Sequence, residues 1–143
     1  MPGTLASYTR KLSGPIVDRI ELWVKVSHMS HDKLSAAATG ESTETVRERI
    51  ANARAVQEAR FINHPRNITT NSEMRADDIE SFIELTPALR SLFNAAAERL
   101  KLSPRAHHKT IKVARTIADL DNSSSIEEKH LLEALAYRPT ELK

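Results

Sequence analysis

From Lys101 to Arg115 the chain carries five basic residues, two histidines and no acid. At helical spacing Arg105, Lys109 and Lys112 fall on one exposed line, flanked by His108 and Arg115. Ala106, Thr110, Val113, Ile117 and Leu120 fall on the opposite side. Ser103-Pro104 gives a capping hydroxyl and then a proline, so a helix starts there with Arg105 in its first turn. Free N–H groups and the helix dipole already favour an anion at that end. A guanidinium there is out of place unless something negative visits, and a phosphate suits it. Three uses of the line stay open: a phosphate site, a DNA-facing surface through Arg105, Lys109, Lys112 and Arg115, or a solvated basic face that serves only solubility.

Other chemistry-bearing side chains are weaker signals. Gly14-Pro15-Ile16-Val17-Asp18-Arg19 is a turn that places Arg19 just before an alternating segment. In isolation it is a turn with an Asp-Arg pair. His28, His31 and Asp32 have helix-like spacing but lie in a polar stretch with no fourth ligand nearby, so no metal site is expected. His107 and His108 are adjacent and face different sides of their helix, one packed and one solvated. Trp23, the only tryptophan, is expected to pack beneath a neighbour rather than stack on a base. No Ser/His/Asp arrangement or paired-carboxylate site stands out.

Composition narrows the classes further. With no cysteine, disulfides, thiolate zinc sites and cysteine nucleophiles are excluded. Three glycines leave little material for a Gly-rich phosphate loop, and nothing matches GxxxxGK[ST]. Lys plus Arg is 21 and Asp plus Glu 19, a net charge of +2, so nucleic-acid binding would need local clustering. No apolar run approaches the roughly 20 residues of a membrane span, and no signal-peptide core is present. A soluble, cytoplasmic protein without membrane contact is expected.

The elements that position these residues are mostly helical, given eighteen alanines and few glycines. Ile20 to Val26 is the exception. Ile20, Leu22, Val24 and Val26 alternate with Glu21, Trp23 and Lys25, which predicts a strand with one buried face. No second strand follows, so either it pairs with its copy in another chain or, the favoured reading, it is an orphan strand or extended arm whose sheet is missing. Residues 28–41 are small and polar, a linker. A helix from Ser42 or Thr43 to about Arg60 turns Val46, Ile50, Ala53, Gln57 and Phe61 inward, and His64-Pro65-Arg66-Asn67 stops it. After a polar loop over 69–76, Asp77 or Asp78 caps a short helix with Ile79, Phe82 and Ile83. Thr86-Pro87 opens a helix presenting Leu89, Leu92, Phe93, Ala96 and Leu100. Ser103-Pro104 opens the basic helix, which runs to about Leu120. Ser125 with Glu128 predicts a capping box for a last helix burying Leu131, Leu132 and Leu135 and ended by Pro139. The expected fold is all-α, a four- to five-helix bundle preceded by an orphan β-strand or extended N-terminal arm.

Four stretches carry a resemblance. YTRKLSGPIVDRIELWVKV resembles the "SGPLLDRID" stretch of magnesium-chelatase-like AAA+ ATPases of the ComM type, the competence-related branch. GESTETVRERIANARAVQEARF is similar to the family's "GES…R…AR…Q..RF" helix, LSPRAHHKTIKVARTIADL to its "LSxRAxHRxLKVARTIADL" helix, and HLLEALAYR to its closing "HLAEALxYR" helix. The match runs in order from Tyr8 to Arg138. His108-Lys109 stands where His-Arg is usual, and Trp23 where a smaller or polar residue often does.

The resemblance implies a C-terminal fragment: residues 1–30 as the tail of the AAA+ core, 31–42 as linker, and 43–143 as the helical lid. It implies that Arg19 is the arginine finger, acting in trans on a neighbour's γ-phosphate, and that Arg105 is the sensor-2 arginine touching nucleotide phosphates. The fragment itself would hold no cofactor and hydrolyse nothing, while the full-length protein would use ATP and Mg²⁺. Its partners would be the AAA+ core of the same polypeptide and neighbouring subunits of a ring homo-oligomer, a hexamer, acting on DNA in competence or recombination.

Overall fold

The computed structural model describes residues 19–28 and 40–139. Within them α1 (Thr43–Arg60), α2 (Ala76–Phe82), α3 (Pro87–Arg99), α4 (Pro104–Leu120) and α5 (Glu128–Ala136) follow in order, with a 3-10 turn at Asn71–Glu73. The fold class is all-α. Three helix starts are the expected ones: the hydroxyls of Ser42, Thr86 and Ser103 accept N–H bonds from Thr45, Leu89 and Ala106 at 3.1, 3.3 and 3.1 Å. With glycine scarce, α3 and α4 close through left-handed Lys101 (φ 50°) and Asn122 (φ 54°). Leu102 N–H then reaches back to the Ala97 carbonyl at 2.9 Å, and Ser123 N–H to that of Ala118 at 2.8 Å.

The other two starts differ from expectation. α2 has Asp78 inside it, where its Oδ2 accepts the Arg75 N–H at 2.6 Å. α5 does not use a Ser125–Glu128 box. Buried His130 takes that role: its Nδ1 accepts the Glu127 N–H at 3.0 Å and its Nε2 bonds Asp121 Oδ2 at 3.1 Å.

α4 is the central helix and touches α1, α2, the 3-10 turn and, most extensively, α5. Ala114 and Ala118 are fully buried, so their small side chains let Leu131, Ala134 and Leu135 of α5 approach closely. Phe61, Met74, Ile79, Ile83, Leu85 and Phe93 complete the same core. Some residues expected inside lie outside it: Ile50 and Leu132 are each 49% exposed and Phe82 is 36% exposed. Helical periodicity sets which side is apolar but not how far a neighbour extends to cover it.

Polar groups also run through this core. Asp119, whose side chain is fully buried, accepts from Arg60 Nη1 and Nη2 at 2.9 and 2.5 Å, Asn71 Nδ2 at 2.7 Å and Arg115 Nε at 3.0 Å. Arg115 also donates to the carbonyls of Ser124 and Ser123. A second buried carboxylate, Asp78, meets His64 Nε2 at 2.9 Å and the Arg66 guanidinium. Burial pushes both carboxyl groups up, yet their donors prevail and hold both below the usual range: Arg60, Asn71 and Arg115 for Asp119, and Arg75 N–H, His64 and Arg66 for Asp78. A folded pKa below the unfolded value gives stability that is complete above about pH 4 and is lost as pH falls through the depressed values. Urea unfolding should therefore give a midpoint insensitive to these two groups between pH 5 and 7 and falling steadily below pH 4. A midpoint unchanged down to pH 2.5 would refute the assignment.

Residues 20–28 form no strand, a correction to the alternating-segment reading. Of its expected buried face Leu22, Val24 and Val26 are 51, 67 and 87% exposed, while Ile20 and, from the other side, Trp23 are half-buried. Among the described residues no neighbouring strand offers a ladder, so the segment docks by single bonds. Trp23 N–H donates to the Tyr137 carbonyl at 3.0 Å, and Arg138 Nη1 to that of Ile20 at 3.3 Å. Trp23 emission therefore reports docking: Arg138→Ala should shift it to the red with the far-ultraviolet helix signal retained. Unshifted emission would show that the arm is held otherwise.

Candidate functional site

A cavity of about 500 Å³ opens where the arm, the chain ahead of α2 and the first two turns of α4 meet. Arg19, Glu21, Arg75, Arg105, His108, Lys109 and Lys112 line it, with Met74, Ala76 and Ile79 as apolar floor. Two arginines 86 positions apart, singled out for separate reasons, thus face one space. The Ser103 cap and Pro104 fix the first turn of α4, and His107 packs inward on Phe93 with ring centroids 4.4 Å apart. Burial, with His108 and Arg90 nearby, pushes the His107 imidazole pKa down. His108 points the other way, into the cavity.

The lysines do something the sequence did not show. Lys109 Nζ donates to the Arg19 carbonyl at 2.6 Å and lies 3.5 Å from Glu21 Oε1, so it ties the arm to α4. Lys112 Nζ donates to the carbonyls of Ser72 and Met74 at 2.8 and 3.3 Å. Burial is the main cause that lowers its pKa, with Lys109 adding repulsion and Glu21 opposing. Both are half-buried, so the basic line is not a solvated face. Arg115 is a further correction: it is 4% exposed and bound to Asp119, because the helix is turned so that Arg115 faces the core. It belongs to no phosphate or DNA surface.

Among the described residues no carboxylate pairs with the guanidinium of Arg19, Arg75 or Arg105. Among the described residues that line the cavity Glu21 is the one acid, and it is taken by Lys109. The lining therefore offers donors and positive charge, which suits an anion with several acceptor oxygens. It offers no metal-binding set: among the described residues no three His, Asp or Glu side chains cluster as ligands. His31 and Asp32 lie outside the described residues. Arg75 was not foreseen, since it sits alone in a polar loop with no periodicity, and its only sequence signal is Asp78 three positions on. No helix among the described residues is long and apolar enough to cross a membrane.

A family model described as magnesium chelatase, subunit ChlI C-terminal, matches residues 40–138. The chain is 33% identical over 138 residues to "Competence protein ComM" of Haemophilus influenzae, covering 96% of this chain and 26% of that protein. It is 35% identical over 138 residues to "Uncharacterized protein YifB" of Escherichia coli, with the same coverage of each. To "Uncharacterized protein Rv2897c" of Mycobacterium tuberculosis it is 34% identical over 137 residues, 96% of this chain and 27% of that one. The chain spans about a quarter of the length of these relatives.

Proposed function

The chain belongs to the magnesium chelatase ChlI C-terminal family, and from that premise we propose that residues 43–143 are the nucleotide-sensing lid of a ring-forming AAA+ ATPase. Residues 1–30 are then the tail of its ATPase core and 31–42 the linker. One observation carries the reading: Arg19 and Arg105 line a single cavity with no carboxylate partner for either guanidinium among the described residues. In the full-length protein the phosphate loop and Mg²⁺ ligands lie elsewhere, so this chain alone turns over no ATP. Bound ATP supplies the phosphoryl group. Arg105 binds its phosphates, Arg19 neutralises charge that develops on the γ-phosphate, and Lys109 holds the Arg19 backbone against α4. The ring is a hexamer in the cytoplasm that acts on DNA in competence or recombination; competence is the word in the name of the Haemophilus relative. A separate DNA-binding module is disfavoured, because Arg115 is buried and Lys109 and Lys112 bind backbone carbonyls.

One shared cavity has a mechanistic consequence. If Arg19 reaches the nucleotide of a neighbouring subunit, Arg105 of the same chain reaches that same nucleotide. Full-length Arg19→Ala and Arg105→Ala proteins should each regain ATPase activity when mixed with subunits whose phosphate loop is dead. Mixed with one another they should regain none, since every interface then lacks one arginine. Recovery in that cross would place Arg105 on its own subunit's nucleotide and overturn the shared-cavity reading.

A further inference from the structure

We propose that Arg75 is a third phosphate ligand, and that Arg19, Arg75 and Arg105 together form a receptor for a terminal phosphoryl group with three free oxygens. The proposal rests on the lid reading and adds a residue to it. The three guanidinium groups reach one cavity from the arm, from the chain ahead of α2 and from α4. None is paired with a carboxylate among the described residues, and the three guanidinium groups share one lining. Bringing several like charges to one concave surface is unfavourable unless an anion offsets it.

Arg75 is also held in place from behind. Its N–H donates to Asp78 Oδ2 at 2.6 Å, and Asp78 is buried and fixed by His64 Nε2 at 2.9 Å and by the Arg66 guanidinium. Its backbone is thus fastened to the core while its side chain lines the cavity, the arrangement a preorganised anion ligand needs. Lys112 secures the same loop from the other side through the Ser72 and Met74 carbonyls. Three forked donors match a terminal phosphoryl group, which presents three free oxygens and about two charges. A backbone diester of DNA presents two free oxygens and one charge, and so leaves one guanidinium unused. The ligand class is therefore the end of a polyphosphate chain.

Titrating the 143-residue chain with inorganic tripolyphosphate, read by NMR of the arginine Nε–H groups, tests this. The resonances of Arg19, Arg75 and Arg105 should move together on one binding curve. Arg75→Gln should raise Kd about tenfold, the loss expected for one charge-assisted contact, and Arg75→Lys should restore only part of it. Arg75 is exposed, so the amide spectrum should show the fold unchanged. If Arg105→Gln weakens binding and Arg75→Gln does not, Arg75 is a bystander and the proposal fails while the lid reading stands. If tripolyphosphate moves none of the three, both fail. If a short DNA duplex shifts Arg75 and tripolyphosphate does not, the terminal-phosphoryl assignment is overturned.

Discussion

Full-length protein carrying Arg105→Ala is expected to hydrolyse ATP about 100-fold more slowly than the parent at saturating ATP, or worse. Removing a preorganised charged donor aimed at phosphate oxygens costs rate on that scale. The loss should come without unfolding. Arg105 is exposed, sits outside the apolar core and has no carboxylate partner among the described residues. Its removal should move the stability of the helical domain by less than about 0.5 kcal/mol, the usual range for surface changes. Arg105→Lys keeps the charge but loses the forked geometry, so it should recover only part of the rate. Steady-state turnover beside a melting curve separates the cases. Full activity in Arg105→Ala, with the ring intact, would end the phosphate reading of the cavity.

The second large effect concerns stability. Asp119→Ala removes the carboxylate that Arg60, Asn71 and Arg115 share and leaves Arg115, 4% exposed, as a buried charge without its counterion. Breaking a buried pair from one side costs about 3–5 kcal/mol. At about 4–8 °C per kcal/mol for a body of this size, melting should fall by more than about 12 °C. Arg49→Ala is the contrast. It breaks an exposed pair with Glu41 and should leave the melting temperature nearly unchanged. Calorimetry on both variants decides it, and an Asp119→Ala protein within 1 kcal/mol of the parent would show that the network adds nothing.

Legibility of the sequence followed the range of each signal. Helix starts at Ser42, Thr86 and Ser103 were readable because a capping hydroxyl acts within three residues. The cap at His130 was not, since nothing local distinguishes an imidazole that bends back onto Glu127. Periodicity found the apolar side of each helix but not the ends of its cover, hence Ile50 and Leu132. It also placed Arg115 outside, because a helical wheel treats every arginine as solvated and cannot see a carboxylate one turn away that is itself buried. Alternation over residues 20–26 signalled a strand, but strand structure depends on a partner that the pattern itself does not contain. Arg19 and Arg105 were each readable as candidates through the family resemblance. That they border one space depends on Lys109 reaching the Arg19 carbonyl across 90 residues, and no local pattern encodes that.

The Arg60–Asp119 contact joins positions 59 residues apart. On the ribosome, synthesis at about 5–20 residues per second separates the emergence of the two by roughly 3–12 s. Throughout that interval Arg60, at the end of α1, has no Asp119 carboxylate to meet. The polar network around Asp119 thus closes only after α4 has emerged. It waits for α4, and a truncation between the two would leave Arg60 and Asn71 without the carboxylate they share.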